Sequence, residues 1–145
     1  MVKKTHTVKN NILSNSEKRI LWLSRTFDGS VHDKKIMDEH PVYFPVGITL
    51  WQDTGFLGHI PENVTVMMPT KKPKGGELTD EQKRQNKMMS SYRVVVEHAI
   101  GGIKLYRIVK ERIRCTKFGF EDKVMRIACG LHNLRITLKE NVIKN

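Results

Sequence analysis

Two acidic residues stand where a carboxylate could act as a metal ligand. Asp53 lies in Leu50-Trp51-Gln52-Asp53-Thr54-Gly55-Phe56-Leu57-Gly58, where an apolar run meets a glycine turn. Glu97 lies in Arg93-Val94-Val95-Val96-Glu97-His98-Ala99-Ile100-Gly101, inside a predicted helix. Mg²⁺ and Mn²⁺ prefer oxygen donors, usually a few carboxylates completed by water and phosphate oxygens. Phosphodiester chemistry often uses two such ions about 3.5–4 Å apart, one activating the attacking oxygen and one stabilising the leaving oxygen. A third acid of the same kind is not evident. Asp28 and Asp33 are explained by a turn and a helix start, and His32 by a place in a first helical turn. His98 adjoins Glu97 in sequence but points elsewhere on a helix. Each acid also has a plainer reading. Asp53 can cap a turn, and Glu97 can pair with Arg93 at i,i+4. Cys115, Cys129 and His132 lack the fourth ligand and the close cysteine pair of a zinc site.

Rigid elements must hold these acids. Residues 3–28 read as a β-hairpin with a turn at Ser14-Asn15-Ser16-Glu17. Ser30-Val31-His32-Asp33 has the form of a helix start, with Ser30 as the cap and a short helix running to Glu39. Residues 46–53 form a strand that delivers Asp53 at its end, and residues 64–68 form another, stopped by Pro69. Residues 70–77 are a basic, glycine-rich loop with Lys71, Lys72 and Lys74. Thr79 and Gln82 make a capping box that opens a long helix over residues 79–108. Its apolar stripe is Met88, Met89, Tyr92, Val95, Val96, Ala99, Ile100 and Ile103, and Glu97 falls off the centre of that stripe. Asn86, Ser90, Arg93 and Lys104 share the side of Glu97, and Gly101-Gly102 are placed to kink or end the helix. A last helix over residues 122–138 buries Val124, Ile127, Ala128, Leu131 and Leu134. The order is mixed α/β, with no internal repeat, and the expectation is a single domain spanning residues 1–145.

The composition narrows the partners. The formal net charge is +11 and the isoelectric point about 9.8. Such an excess points to a polyanion, nucleic acid first, with solubility as the plainer alternative. No apolar run approaches the ~20 residues of a membrane span. The charged N-terminus is not followed by the apolar core of a signal peptide. Two cysteines make no disulfide framework, so a reducing, cytoplasmic location is expected.

Several segments together resemble the DDE-type transposases of bacterial insertion sequences, a group whose catalytic core is similar to that of the Harbinger-derived nucleases. They are Lys3-Lys4-Thr5-His6-Thr7-Val8-Lys9-Asn10, Gly29-Ser30-Val31-His32-Asp33-Lys34-Lys35, Asp53 to Gly58, and Pro69 to Gly76. Leu78-Thr79 with Gln82-Lys83 and Asn86 follow, then Arg93 to Gly101 with Lys104, then Ala128-Cys129-Gly130-Leu131-His132-Asn133 with Arg135. They fall in the family's order and cover nearly the whole chain. The resemblance implies a ribonuclease-H-like fold in which a mixed sheet is flanked by helices. It implies that Asp53 matches the second catalytic aspartate and Glu97 the catalytic glutamate, both ligands of Mg²⁺ or Mn²⁺. It implies hydrolytic nicking of DNA at element ends, then attack of the freed 3′-hydroxyl on target DNA, with no covalent enzyme intermediate. Lys71, Lys72, Lys74, Arg93 and Lys104 are the expected DNA contacts, and His32-Asp33 matches a signature of structural role.

One departure from the family pattern stands out. The family's first catalytic aspartate precedes the segment that here begins at Lys3, on a central strand. The expectation is therefore a C-terminal part of a catalytic domain, with two of three metal ligands and inactive by itself. It is either a remnant or one half of a split transposase with an upstream partner half, at the bacterial nucleoid and with homo-oligomers conceivable. The rival readings are a non-catalytic basic DNA-binding remnant and an RNA-associated protein. The aromatic stacking motifs that would favour the latter are not seen.

Overall fold

The computed structural model describes residues 7–111, 113–115 and 117–143. Contacts divide the chain into two compact units, one of residues up to Ser30 together with Val95 onward, the other Val31–Val94.

In the first unit the amino-terminal segment folds back on itself. Strands β1 (Val8–Lys9) and β4 (Phe27–Asp28) pair antiparallel, and so do β2 (Ile12–Ser14) and β3 (Ile20–Leu23) inside them. The Lys3–His6 start of the expected hairpin lies outside the described residues. Between the two ladders buried Asn11 and Ser24 replace strand pairing. The Asn11 amide donates to the Ser24 hydroxyl (2.8 Å), and the Ser24 amide donates to the Asn11 carbonyl (2.9 Å). Buried backbone groups thus keep their partners where the strands part. At the tip the Asn15 carboxamide oxygen accepts from the amides of Glu17 (3.1 Å) and Arg19 (2.9 Å), and Lys18 takes a left-handed φ of 68°.

Helix α4 (Phe120–Ile143) holds that hairpin by its side chains. Asn133 donates to the Ile20 carbonyl and accepts from the Ile20 amide, both at 2.9 Å, as a neighbouring strand would. Arg19 donates to Thr137 (2.9 Å) and Glu140 (2.7 Å), and Asp122 accepts from the Thr26 amide (2.6 Å). The helix runs past the expected end at residue 138 to Ile143, and the Arg19–Glu140 pair lies in that added stretch. The core of the unit is Ile20, Ala99, Ile103, Ala128 and Cys129.

Helix α2 (Asp80–Ile103) opens with the expected capping box. The Gln82 amide donates to the Thr79 hydroxyl (3.2 Å), and the Thr79 amide donates to the Gln82 side chain (3.0 Å). The helix stops at Ile103 rather than continuing to residue 108. The chain turns there so that Tyr106 and Val109, on either side of the start of α3 (Arg107–Lys110), pack against the core. Gly101 and Gly102 do not end it. Gly102 is a point of close approach, since a Cβ there would lie 2.3 Å from the His132 ring. His132 is buried, accepting at Nδ1 from Arg135 (3.4 Å) and donating from Nε2 to the Lys18 carbonyl (2.9 Å). The buried face of α4 also differs from the expected stripe. Val124, Ala128, Cys129 and His132 are buried, whereas Ile127, Leu131 and Leu134 are exposed. The apolar residues of α4 form one wide arc, and periodicity does not say which part of it meets the core.

In the second unit, β5 (Ile48–Trp51) and β6 (Val64–Met67) pair in parallel, from Ile48 opposite Val64 to Trp51 opposite Met67. The Gln52 amide extends the ladder to the Met67 carbonyl (3.0 Å). A parallel pair needs a crossover, and this one carries a 3₁₀ turn over Thr54–Phe56. Helix α1 (Asp33–Glu39) buries Ile36 and Met37. Its cap position is His32, without a side-chain cap bond, and not Ser30. The helix starts at Asp33, so Ser30 lies two residues before the cap position, and its hydroxyl and amide both donate to Asp28 instead (2.6 and 2.9 Å). The fold is mixed α/β, but the single mixed sheet expected from the sequence is not what pairs. Among the described residues there are three two-stranded sheets. No described strand pairs with both the hairpin and β5.

Candidate metal and nucleic-acid site

Asp53 sits where β5 ends. Ligand groups in open α/β sheets gather at the carboxyl ends of parallel strands, and the preceding residues hold this end still. The Trp51 ring stacks on Tyr92 of α2, with centroids 4.0 Å apart and planes inclined by 14°. Gln52 is buried. The Thr54 amide donates to Oδ1 of Asp53 (2.7 Å), and the Phe56 amide donates to the Asp53 carbonyl (3.0 Å). Asp53 is exposed, and among the described residues its carboxylate has no other recorded partner. Capping and metal binding are therefore not alternatives here. The amide fixes one oxygen, and the exposed carboxylate keeps donor capacity.

The turn after Asp53 leans on α1. A Cβ on Gly55 would come within 2.8 Å of Oδ2 of Asp33, so that glycine makes room for the Asp33 carboxylate. Sequence reasoning assigned Asp33 to a helix start. It is in the first turn of α1, and its side chain also reaches the turn that carries Asp53. Asp38, on the next turn of α1, lies beside His59 (3.5 Å) and accepts from Lys34. The bond from Lys34 holds the Asp38 carboxyl below the ordinary aspartate value. Asp38 and His59 carried no sequence signal.

The basic loop is an excursion between two fixed points on α2. At its root the Thr70 amide donates to Asn86 and Asn86 donates back to the Thr70 carbonyl, both at 2.9 Å. At its end the Thr79–Gln82 box begins the helix. Lys71, Lys72 and Lys74 are all exposed. Gly75 has a φ of 80°, which favours glycine, and the Gly76 amide donates to the Pro73 carbonyl (3.3 Å). Asn86 was noted in the sequence for sharing a side with Glu97 and for its place in the family resemblance. Its role as the loop's anchor appears in the structure.

Glu97 is exposed on α2, two residues before fully buried Ala99. Arg93 and Lys104 are exposed as well. Asp53, the three loop lysines and Arg93 belong to the Val31–Val94 unit, and Glu97 and Lys104 to the other. Among the described residues there is no group of three or more His, Cys, Asp and Glu side chains that could hold a metal ion. Cys129 is no ligand candidate. Burial pushes its thiol up to about 11, which keeps it protonated and unreactive. No helix among the described residues is long and apolar enough to cross a membrane.

The family model described as DDE superfamily endonuclease matches residues 1–133, and the chain belongs to that family. It is also similar to a protein from Microchaete diplosiphon named probable transposase for insertion sequence element IS702. The two are 27% identical over 136 residues, which cover 92% of this chain and 48% of that protein. The chain thus spans about half the length of this curated relative. No solved structure matches it. DDE endonucleases generally use divalent metal ions, and the donors here fit in kind. Asp53 and Glu97 both offer exposed, hard carboxylate oxygens.

Proposed function

We propose that the chain is part of a DNA transposase that cuts phosphodiester bonds and transfers strands with Mg²⁺ or Mn²⁺, on a partial ribonuclease-H-like domain. The observation that carries this reading is Asp53, an exposed carboxylate fixed at a parallel strand end by the Thr54 amide (2.7 Å). Asp53 and Glu97 are the metal ligands supplied by these residues. Bound divalent ions would activate an oxygen nucleophile and stabilise the leaving oxygen. Holding two such ions normally takes about three carboxylates, and the third comes from another segment or chain. Asp28 is a poor substitute, because Ser30 occupies its Oδ1 twice.

The protein's own residues orient and bind. The Thr54 amide keeps the Asp53 carboxylate in one attitude. Lys71, Lys72 and Lys74 lie along a loop tied down at Thr70, so DNA phosphates meet them with little ordering cost. Arg93 and Lys104 add positive charge near Glu97 in sequence. The setting is the bacterial cytoplasm, with element ends and target DNA as substrates.

The test is nicking of element-end DNA by the 145-residue chain with Mn²⁺, alongside duplex binding by fluorescence anisotropy across salt. Salt-sensitive binding without cleavage is expected. Robust cleavage lost in Asp53→Asn would place a third ligand inside these residues. Absence of any DNA binding at low salt would overturn the reading. The pinned loop also favours a second reading, a basic DNA-binding module without catalysis. In that case binding would survive Asp53→Asn and Glu97→Gln with no response to divalent ions.

A further inference from the structure

Trp51 and Tyr92 form a stacked pair inside the Val31–Val94 unit, with ring centroids 4.0 Å apart and planes inclined by 14°. Packing of α2 against β5 accounts for the covered side of this pair, but not for the open one. Trp51 covers one face of the Tyr92 ring, so the exposure that Tyr92 keeps, 40% of the residue, lies away from Trp51. Met88 stands one helical turn earlier on the same side of α2 and is 47% exposed, which widens the apolar surface beside the ring. Side chains two apart on extended backbone share a face, so Asp53 lies on the side of Trp51, about 7 Å further along. Asn86, which anchors the lysine loop at Thr70, lies about 9 Å along α2 from Tyr92. An open aromatic ring, a strand-end carboxylate and three exposed lysines thus share one compact unit.

We propose that the Trp51–Tyr92 pair is a platform on which an unpaired nucleobase stacks, in the DNA that the lysine loop holds. The inference rests on the DNA reading above and adds a base subsite to it. The chemistry of the surface selects this ligand. Lys71, Lys72 and Lys74 draw phosphates to the unit, and a flat apolar ring among them offers what phosphates cannot satisfy. A flat ring continues a parallel ring stack, so a base laid on the open side of Tyr92 becomes its third member. A base inside a duplex has its faces covered by its neighbours, so only an extruded or single-stranded base presents one. Trp51 holds the Tyr92 ring in place, so little order has to be imposed on it when a base arrives. The contact is indifferent to base identity, because every base has a π face. Its role is to hold a single strand beside Asp53, while the lysines hold the backbone.

The experiment measures binding of the full 145-residue chain to two probes by fluorescence anisotropy at low salt. One is a duplex ending in a short single-stranded overhang of thymines. The other is the same duplex with abasic sites in the overhang, so the phosphates are identical and only the bases differ. The chain should prefer the base-bearing probe by about 5- to 150-fold, the range of one stacked base. Tyr92→Leu keeps an apolar side chain over Trp51 and should abolish that preference, with its thermal melt checked alongside, whereas Tyr92→Phe should retain it. In the unmutated chain, 5-iodouracil placed in the overhang should crosslink to Tyr92 under ultraviolet light. Equal affinity for the two probes, a preference unchanged in Tyr92→Leu, or crosslinks that avoid Tyr92 would overturn the platform, while binding to both probes would leave the DNA reading standing. Binding to neither probe would remove the DNA reading and the platform with it.

Discussion

Replacing Gly102 by alanine should destabilise the chain, while the same change at its neighbour Gly101 should not. At Gly102 the new Cβ would stand 2.3 Å from Cε1 and Nδ1 of His132 and 2.9 Å from the Arg135 guanidinium. The ring is buried and held at the Lys18 carbonyl, so it cannot swing away freely. Overpacking of this kind costs about 1–3 kcal/mol. Displacing His132 also breaks its bond to the Lys18 carbonyl (2.9 Å), worth about 1 kcal/mol. The preference of a helix for alanine over glycine returns about 1 kcal/mol. The net loss is about 2 kcal/mol. At Gly101 a Cβ meets nothing, so only the propensity gain of up to about 1 kcal/mol remains. Urea unfolding followed by circular dichroism measures both. Opposite signs at adjacent glycines are expected. Equal effects, or stabilisation at Gly102, would refute the close approach of α2 to His132.

Three further outcomes follow from the geometry. Asp53→Asn keeps an oxygen for the Thr54 amide and should leave stability within about 0.5 kcal/mol, whereas Asp53→Ala should lose about 1 kcal/mol with the cap; thermal melts of both variants check this. The folded-state pKa of Asp38 is lowered, chiefly by Lys34. Its contribution is therefore present above the ordinary aspartate value and fades as pH falls through the lowered one. Lys34→Met should move the Asp38 midpoint upward in an NMR titration, and an unmoved midpoint would discount the pair. Cys115 should react with a maleimide in the native chain while Cys129, buried and shifted to about 11, stays unmodified until urea exposes it. Mass spectrometry after trypsin digestion reads this directly.

Elements set by local chemistry were legible in the sequence. The Thr79–Gln82 box and the turn at Asn15 each rest on side chains bonding their own backbone neighbours, which spacing reveals. Elements set by competition between partners were not. Ser30 has the right residue type to cap α1, but the helix begins two residues later than a Ser30 cap would place it, and Ser30 bonds Asp28 in the preceding turn. Gly101-Gly102 looks like a helix end, yet Gly102 is there because His132, some thirty residues on, fills the space. The apolar arc of α4 is wide, and only packing against the hairpin and α2 decides which part of it is buried. Asn133 acting as a surrogate strand for Ile20 leaves no mark in the sequence. Of the candidate site, the residue types and their elements could be read in advance. The anchoring of the lysine loop by Asn86 and the reach of Asp33 to Gly55 could not, because both depend on long-range packing.

The central claim is that Asp53 and Glu97 each bind a divalent cation, and iron-mediated backbone cleavage tests it without requiring turnover. The 145-residue chain is loaded with Fe²⁺, treated with ascorbate and peroxide, and its fragments are mapped. Cuts beside Asp53 and beside Glu97 are expected, both suppressed by excess Mg²⁺, with Asp53→Asn removing the cuts near residue 53 and Glu97→Gln those near residue 97. Fragments that ignore Mg²⁺, or that persist unchanged in both variants, would contradict the assignment.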